Sequence, residues 1–138
     1  MVHFYGWESA TEEIRALYDE LSQVWSRETC APRMRGDWSE ENRTLGQCSI
    51  TSFLVQDLLG GKVYGVPLED GSVHCYNVAQ GCLFDLTSEQ FGDRVLCYEN
   101  NPEQFREQHF ADADKYSRYE LLRDGLLALR AGKQNGGA

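Results

Sequence analysis

Near the start of the chain, Ile14, Leu17, Tyr18, Leu21, Val24 and Trp25 fall on one face at helical spacing, with polar residues between them. This predicts an amphipathic helix over residues 9–25, with Ser9 and Glu12 as a capping box. Residues 26–44 are polar and carry Pro32 and Gly36, so they read as a long connection anchored by Trp38. Connections of this length usually serve a function, and this one is a candidate cleft wall. From Gln47 to Leu59 the apolar residues Ile50, Phe53, Leu54, Leu58 and Leu59 spread over more than one stripe, which predicts a buried helix. Thr44 and Gln47 could form a capping box at its start, and Gly60-Gly61 would end it.

The period then changes. Residues 62–66, 73–78 and 82–86 read as short strands, the first stopped by Pro67. The turns at residues 69–72 and 79–81 are tight enough to pair the strands as an antiparallel meander. Residues 95–98 are a fourth strand candidate. Asn101-Pro102 has the form of a helix start, and Tyr116, Tyr119, Leu122, Leu126 and Leu129 continue at helical spacing. The order helix, helix, strands, helix predicts an α+β fold. A single compact domain over residues 1–131 is expected, followed by a disordered tail over 132–138.

Composition narrows the function. The 138 residues are 41% apolar and include three Trp, seven Tyr and six Phe, enough for a core without disulfide staples. The formal net charge of −9, with no basic patch interleaved with aromatics, argues against nucleic acid and against an anionic membrane as partners. Five cysteines, an odd number, without a cationic and apolar leader, point to free thiols in the cytoplasm. No apolar run reaches the roughly 18 residues of a membrane span. Among the aromatic and basic residues of the C-terminal helix, Tyr116, Tyr119, Arg118 and Arg123 form either an interaction face or core packing.

Three residues carry the candidate chemistry: Cys48, His74 and Asp85. Cys48 falls in the first turn of the buried helix, where the helix dipole favours a thiolate and the first amides can receive an oxyanion. His74 on the second strand is placed to exchange the proton of Cys48. Asp85 on the third strand is placed to orient the imidazole and to stabilise its charge. A turn centred on residues 79 and 80 would set 74 directly opposite 85. The plain alternatives are a core cysteine, a structural histidine and an aspartate that ends a strand. The agreement of order, element type and register favours the triad. Cys30, Cys75, Cys82 and Cys97 read as packing residues. A zinc site is disfavoured, because His74 and Cys75 are adjacent on a strand and face opposite ways. No metal and no cofactor are therefore expected.

Gly46-Gln47-Cys48, Gln56-Asp57, Gly60-Gly61, His74 with Tyr76-Asn77, and Asp85-Leu86-Thr87 with Gln90-Phe91 resemble the YunG-like family of small bacterial proteins over roughly residues 25–100. More distantly, the same segment resembles the papain and transglutaminase-like superfamily. That resemblance implies a buried helix carrying the cysteine, packed on a small antiparallel sheet and flanked by N- and C-terminal helices. It also implies amide or ester chemistry through an acyl-enzyme, with Cys48 as nucleophile, His74 as base and Asp85 as orienter. Such enzymes place an amide side chain before the nucleophile, for which Asn42 or Gln47 is the candidate, and Trp38 and Tyr76 are candidate cleft walls. The second lobe of papain-like peptidases is missing, which favours a small-molecule or short peptide substrate. The expectation is thus a cysteine hydrolase or acyltransferase. The competing readings are a non-catalytic binding module and a redox-sensing thiol on the same fold.

Overall fold

The computed structural model describes residues 3–136. Helix α1 spans Glu12–Ser22. Its cap is Thr11, whose extended backbone lets Oγ1 accept from the Ile14 N–H at 3.2 Å. The Ser9 box is not formed, because the Ser9 hydroxyl turns back to the Gly6 carbonyl. Ile14, Leu17 and Leu21 are buried, as the spacing requires. A 3-10 segment, Pro32–Asp37, interrupts the long connection.

Helix α2 runs Cys48–Leu59, and six consecutive residues from Ile50 to Val55 are buried. A helix buried all round needs partners on both sides. Phe53 meets Val63 and Cys75 of the sheet, while Ile50 and Leu54 join Leu17, Leu21, Leu122 and Leu126. Gly60, at φ +77°, closes the helix and donates to the Gln56 carbonyl at 2.9 Å.

Strands β1 (Lys62–Pro67), β2 (Val73–Ala79) and β3 (Cys82–Phe84) form the expected meander, and β4 (Glu103–Gln104) completes an antiparallel sheet in the order β3-β2-β1-β4. The fold is α+β. Residues 95–98 are not the fourth strand. Their alternation is real, with Leu96 and Tyr98 buried and Val95 exposed, but they pack those side chains on Tyr76 and Val66 without pairing in the ladder. The edge beside β1 is taken by β4 instead.

Asn101-Pro102 does not start a helix. It leads into β4, a short helix α3 (Arg106–His109) follows, and the long helix α4 covers Ala113–Gly136. Residues 132–136, expected to be disordered, therefore continue α4; residues 137 and 138 lie outside the described residues. Tyr119 and Arg118 are buried against the body of the protein and Tyr116 is exposed. No helix among the described residues is long and apolar enough to cross a membrane.

Candidate active site

Cys48 is the first residue of α2, and no side chain caps that helix. The expected Thr44–Gln47 box is absent. Gln47 has turned its side chain into the core, where Nε2 donates to the Ser26 carbonyl at 3.0 Å. Gln47 Oε1 and Thr44 Oγ1 are buried without a partner. The positive end of the helix is thus left to Cys48 and to whatever binds beside it. The approach to Cys48 depends on Gly46, at φ +71°, where a Cβ would lie 2.6 Å from Cys30 Sγ and 2.9 Å from the Ala31 nitrogen. Only glycine lets the loop 30–31 pass so close.

His74 and Asp85 are both buried, with Nε2 of the ring 2.6 Å from Oδ2 of the carboxylate. That contact leaves Nδ1 free of the carboxylate; the Cys48 sulfur lies 4.0 Å from the Val73 carbonyl oxygen and interacts with the neighbouring His74 ring. The ladder of β2 and β3 pairs Asn77 with Phe84, Val78 with Leu83 and Ala79 with Cys82. This is two residues away from the register that sets 74 opposite 85. Extended by one more residue, it places Asp85 across from Tyr76, on the same face as His74, and the carboxylate reaches the imidazole diagonally. Asp85 itself has left β3 and bridges Tyr5, donating its N–H to the Tyr5 carbonyl at 2.9 Å.

The carboxylate is held on every side. Tyr98 donates to Oδ2 at 2.7 Å, and the Thr87 N–H and hydroxyl donate to Oδ1 at 3.2 and 3.3 Å. Tyr98 stays protonated, because burial and then the charge of Asp85 raise its pKa. Tyr5 stacks on Tyr98 at 4.2 Å, and Phe91 meets the His74 ring edge-on at 4.7 Å.

The electrostatics follow from these contacts. Burial works against charge on His74, but the neighbouring Asp85 carboxylate and the Cys48 thiolate outweigh it and push the pKa up to about 10. The Cys48 thiol is lowered well below the ordinary range, first by a hydrogen bond from the Cys75 thiol and then, against the cost of burial, by the charge and hydrogen bond of His74. The two shifts run in opposite directions and both favour the charged forms, a thiolate on Cys48 and an imidazolium on His74. Cys75 does more than fill space: its interaction with Cys48 raises its own pKa. Cys30 is raised by burial, and all five cysteines are free.

A cleft of about 630 Å³ opens beside Cys48 and His74. None of the four residues expected around it lines it. Gln47 is buried beneath, and Asn42 lines a separate cavity of about 350 Å³. Trp38 donates to the Arg43 carbonyl on the connecting loop. Tyr76 is buried, edge-on to Tyr98, and its hydroxyl accepts from Asn101 at 2.9 Å. The amide that does line the cleft is Gln90, which donates to the Thr87 carbonyl at 2.9 Å and accepts from the Gly46 N–H at 3.4 Å. The sequence pattern gave no sign of the roles of Tyr98 and Cys75. Among the described residues, no cluster of three or more His, Cys, Asp or Glu could hold a metal ion.

The YunG protein family matches residues 13–130, a span that takes in α1 from its second residue, the whole sheet and Cys48, His74 and Asp85. The chain belongs to the YunG family. A relative in Bacillus subtilis (strain 168), described as uncharacterized protein YunG, is 35% identical over 106 residues, covering 77% of this chain and 84% of the relative. No solved structure matches the chain significantly. The YunG match takes in Cys48, His74, Asp85, Thr87 and Tyr98 together.

Proposed function

We propose that this YunG-family protein is a cysteine hydrolase or acyltransferase with a papain-like arrangement, acting on amide or ester bonds of a small-molecule or peptide substrate. The observation that carries the reading is the buried His74–Asp85 pair set beside Cys48 at the start of an uncapped helix, at the wall of an open cleft. In this reading the Cys48 sulfur attacks the substrate carbonyl, and the C=O electron pair moves onto oxygen. The Cys48 N–H receives the oxyanion. The intermediate collapses with expulsion of the leaving group, which takes the proton from His74 Nδ1 and departs as amine or alcohol. Water, or an acceptor amine or alcohol, then gives its proton to His74 and attacks the thioester, releasing the acyl group and restoring the thiolate. Asp85 holds the ring in the required tautomer throughout. The five free thiols suit a reducing cytoplasm.

A screen of amides and activated esters tests this directly. The expected result is an acyl adduct on Cys48, seen by mass spectrometry, and turnover that falls at least about a thousandfold in Cys48→Ser. Unchanged turnover in that variant would remove the proposal. Gln90 is the amide best placed to supply a second oxyanion donor. Gln90→Ala is expected to slow acylation by p-nitrophenyl acetate by about a hundredfold, and by far more than it slows alkylation, which passes through no oxyanion. Equal effects on the two reactions would assign Gln90 a structural role. The neighbouring Cys75 supports a second reading, a redox sensor in which oxidised Cys48 is resolved as a disulfide; peroxide treatment would then remove two hydrogens from the pair.

A further inference from the structure

The cleft carries three lysine and arginine side chains on a chain whose formal net charge is −9: Arg33, Lys115 and Arg118. Two of them are already paired. Arg33 meets Asp70 at 3.1 Å, and Arg118 meets Asp114 at 2.8 Å and the Thr29 carbonyl at 3.2 Å. The two acidic side chains of the wall are engaged as well, Asp114 by Arg118 and Asp112 by the Lys115 backbone N–H at 3.2 Å. Lys115 is the cation of this wall that has no carboxylate partner among the described residues.

Its ammonium is positioned all the same. Nζ lies 3.1 Å from Nδ1 of His109, whose Nε2 is 2.8 Å from Gln104 Oε1. An amide oxygen accepts only, so the proton of His109 sits on Nε2, and Nδ1 accepts from lysine. His109 packs on Phe53 at 5.1 Å, and burial, followed by the charge of Lys115, holds its pKa below the ordinary value. It is therefore a neutral acceptor that uses one of the three ammonium hydrogens. Gln104, His109 and Lys115 form a relay from β4 through α3 to the first turn of α4, and it ends in the same cleft as the Cys48 thiolate.

We infer that Lys115 binds a carboxylate of the substrate, so that Cys48 acts on acyl compounds bearing a free carboxylate near the bond that is cleaved. The chemical class is that of peptides cut near their C-terminus and of carboxylate-bearing amides. The inference rests on the acyl-transfer reading of Cys48. A protein this acidic repels anions at long range, so an anionic substrate needs a local cation of this kind.

Two reagents test it: N-iodoacetylglycine and N-iodoacetylglycinamide, which differ only in the terminal carboxylate. Each is allowed to alkylate the native protein at pH 6, and the rate at Cys48 is compared with that at exposed Cys97, which cancels the intrinsic difference between the reagents. The expected result is a preference of Cys48 for the acid on the order of tenfold, the gain of one charge-assisted hydrogen bond. Lys115→Gln is expected to lose that preference and Lys115→Arg to keep part of it. Arg33→Gln, which removes a cation already paired with Asp70, is expected to retain it. No preference in the natural protein, or a preference that survives Lys115→Gln, overturns the inference. The neutral reagent separates the two claims. Slow reaction of Cys48 with the amide alongside a Lys115-dependent acid preference sinks acyl transfer and sustains the carboxylate site. Fast reaction with no preference does the reverse.

Discussion

At pH 6, Cys48 should react with iodoacetamide at least about tenfold faster than exposed Cys97. An ordinary thiol with a pKa near 8.5 is only about 0.3% thiolate at that pH. Cys75 and the charge of His74 lower the Cys48 pKa well below that ordinary value. Some of that advantage is lost, because a thiolate of low pKa is intrinsically less nucleophilic. The contrast should narrow toward pH 8.5, where an ordinary thiol is half ionised. Buried Cys30 and Cys75 should remain slow throughout. In His74→Ala the low-pH reactivity of Cys48 should collapse, since its paired cation is gone. A Cys48 profile that merely tracks Cys97 would mean that the thiolate and imidazolium do not pair. Peptide-level mass spectrometry after timed quenching gives all these rates in one experiment.

The second large effect is expected at Asp85. Asp85→Asn removes the charge that does most to raise His74, and it leaves a buried imidazole without its counter-ion. Loss of one member of a buried pair costs about 3 kcal/mol or more, a fall in Tm of about 10 °C for a domain of this size. The same substitution should move the alkylation profile of Cys48 toward that of an ordinary thiol. The pH dependence of stability has a definite sign. The folded pKa of His74, about 10, lies above its unfolded value near 6.5, so its contribution is full below pH 6.5 and is lost as pH rises through 10. The folded pKa of Cys48 lies below its unfolded value near 8.5, so its contribution is present above that value and is lost as pH falls through the folded one. Between about pH 6.5 and 8.5 the folded site carries as many protons as the unfolded chain, only moved from sulfur to nitrogen. Thermal unfolding of the natural protein should therefore be nearly flat across that window and weaken toward pH 10. A Tm of Asp85→Asn within a degree or two of the natural protein would contradict this account.

The sequence placed His74 and Asp85 together for a reason that was half right. The turn is centred on Gln80 and Gly81, both at positive φ, and not on residues 79 and 80. A glutamine in that conformation gives no warning in the chain. The resulting shift is two residues, an even number, so both side chains kept their common face; a shift of one would have parted them. Helical periodicity found α1, α2 and the long C-terminal helix, because burial on one or more faces leaves a regular trace. A two-residue strand such as β4 leaves none. Nor did the pattern show that Gln47 would be spent on the core while Gln90, 43 positions later, took its place in the cleft. That depends on which backbone carbonyls are left over when the loops pack.

The backbone N–H of Tyr5 donates to Ser88 Oγ at 2.8 Å, across 83 positions, while the Tyr5 carbonyl receives Asp85 and its ring covers Tyr98. A segment that leaves the ribosome early thus seals a cluster whose other parts are made much later. A ribosome that has released only α2 exposes an ordinary, protonated cysteine. The surroundings that lower the Cys48 pKa are complete once residues 74, 85 and 98 have emerged and the Tyr5 segment has closed over them. Until then Cys48 keeps the surroundings of an unfolded thiol.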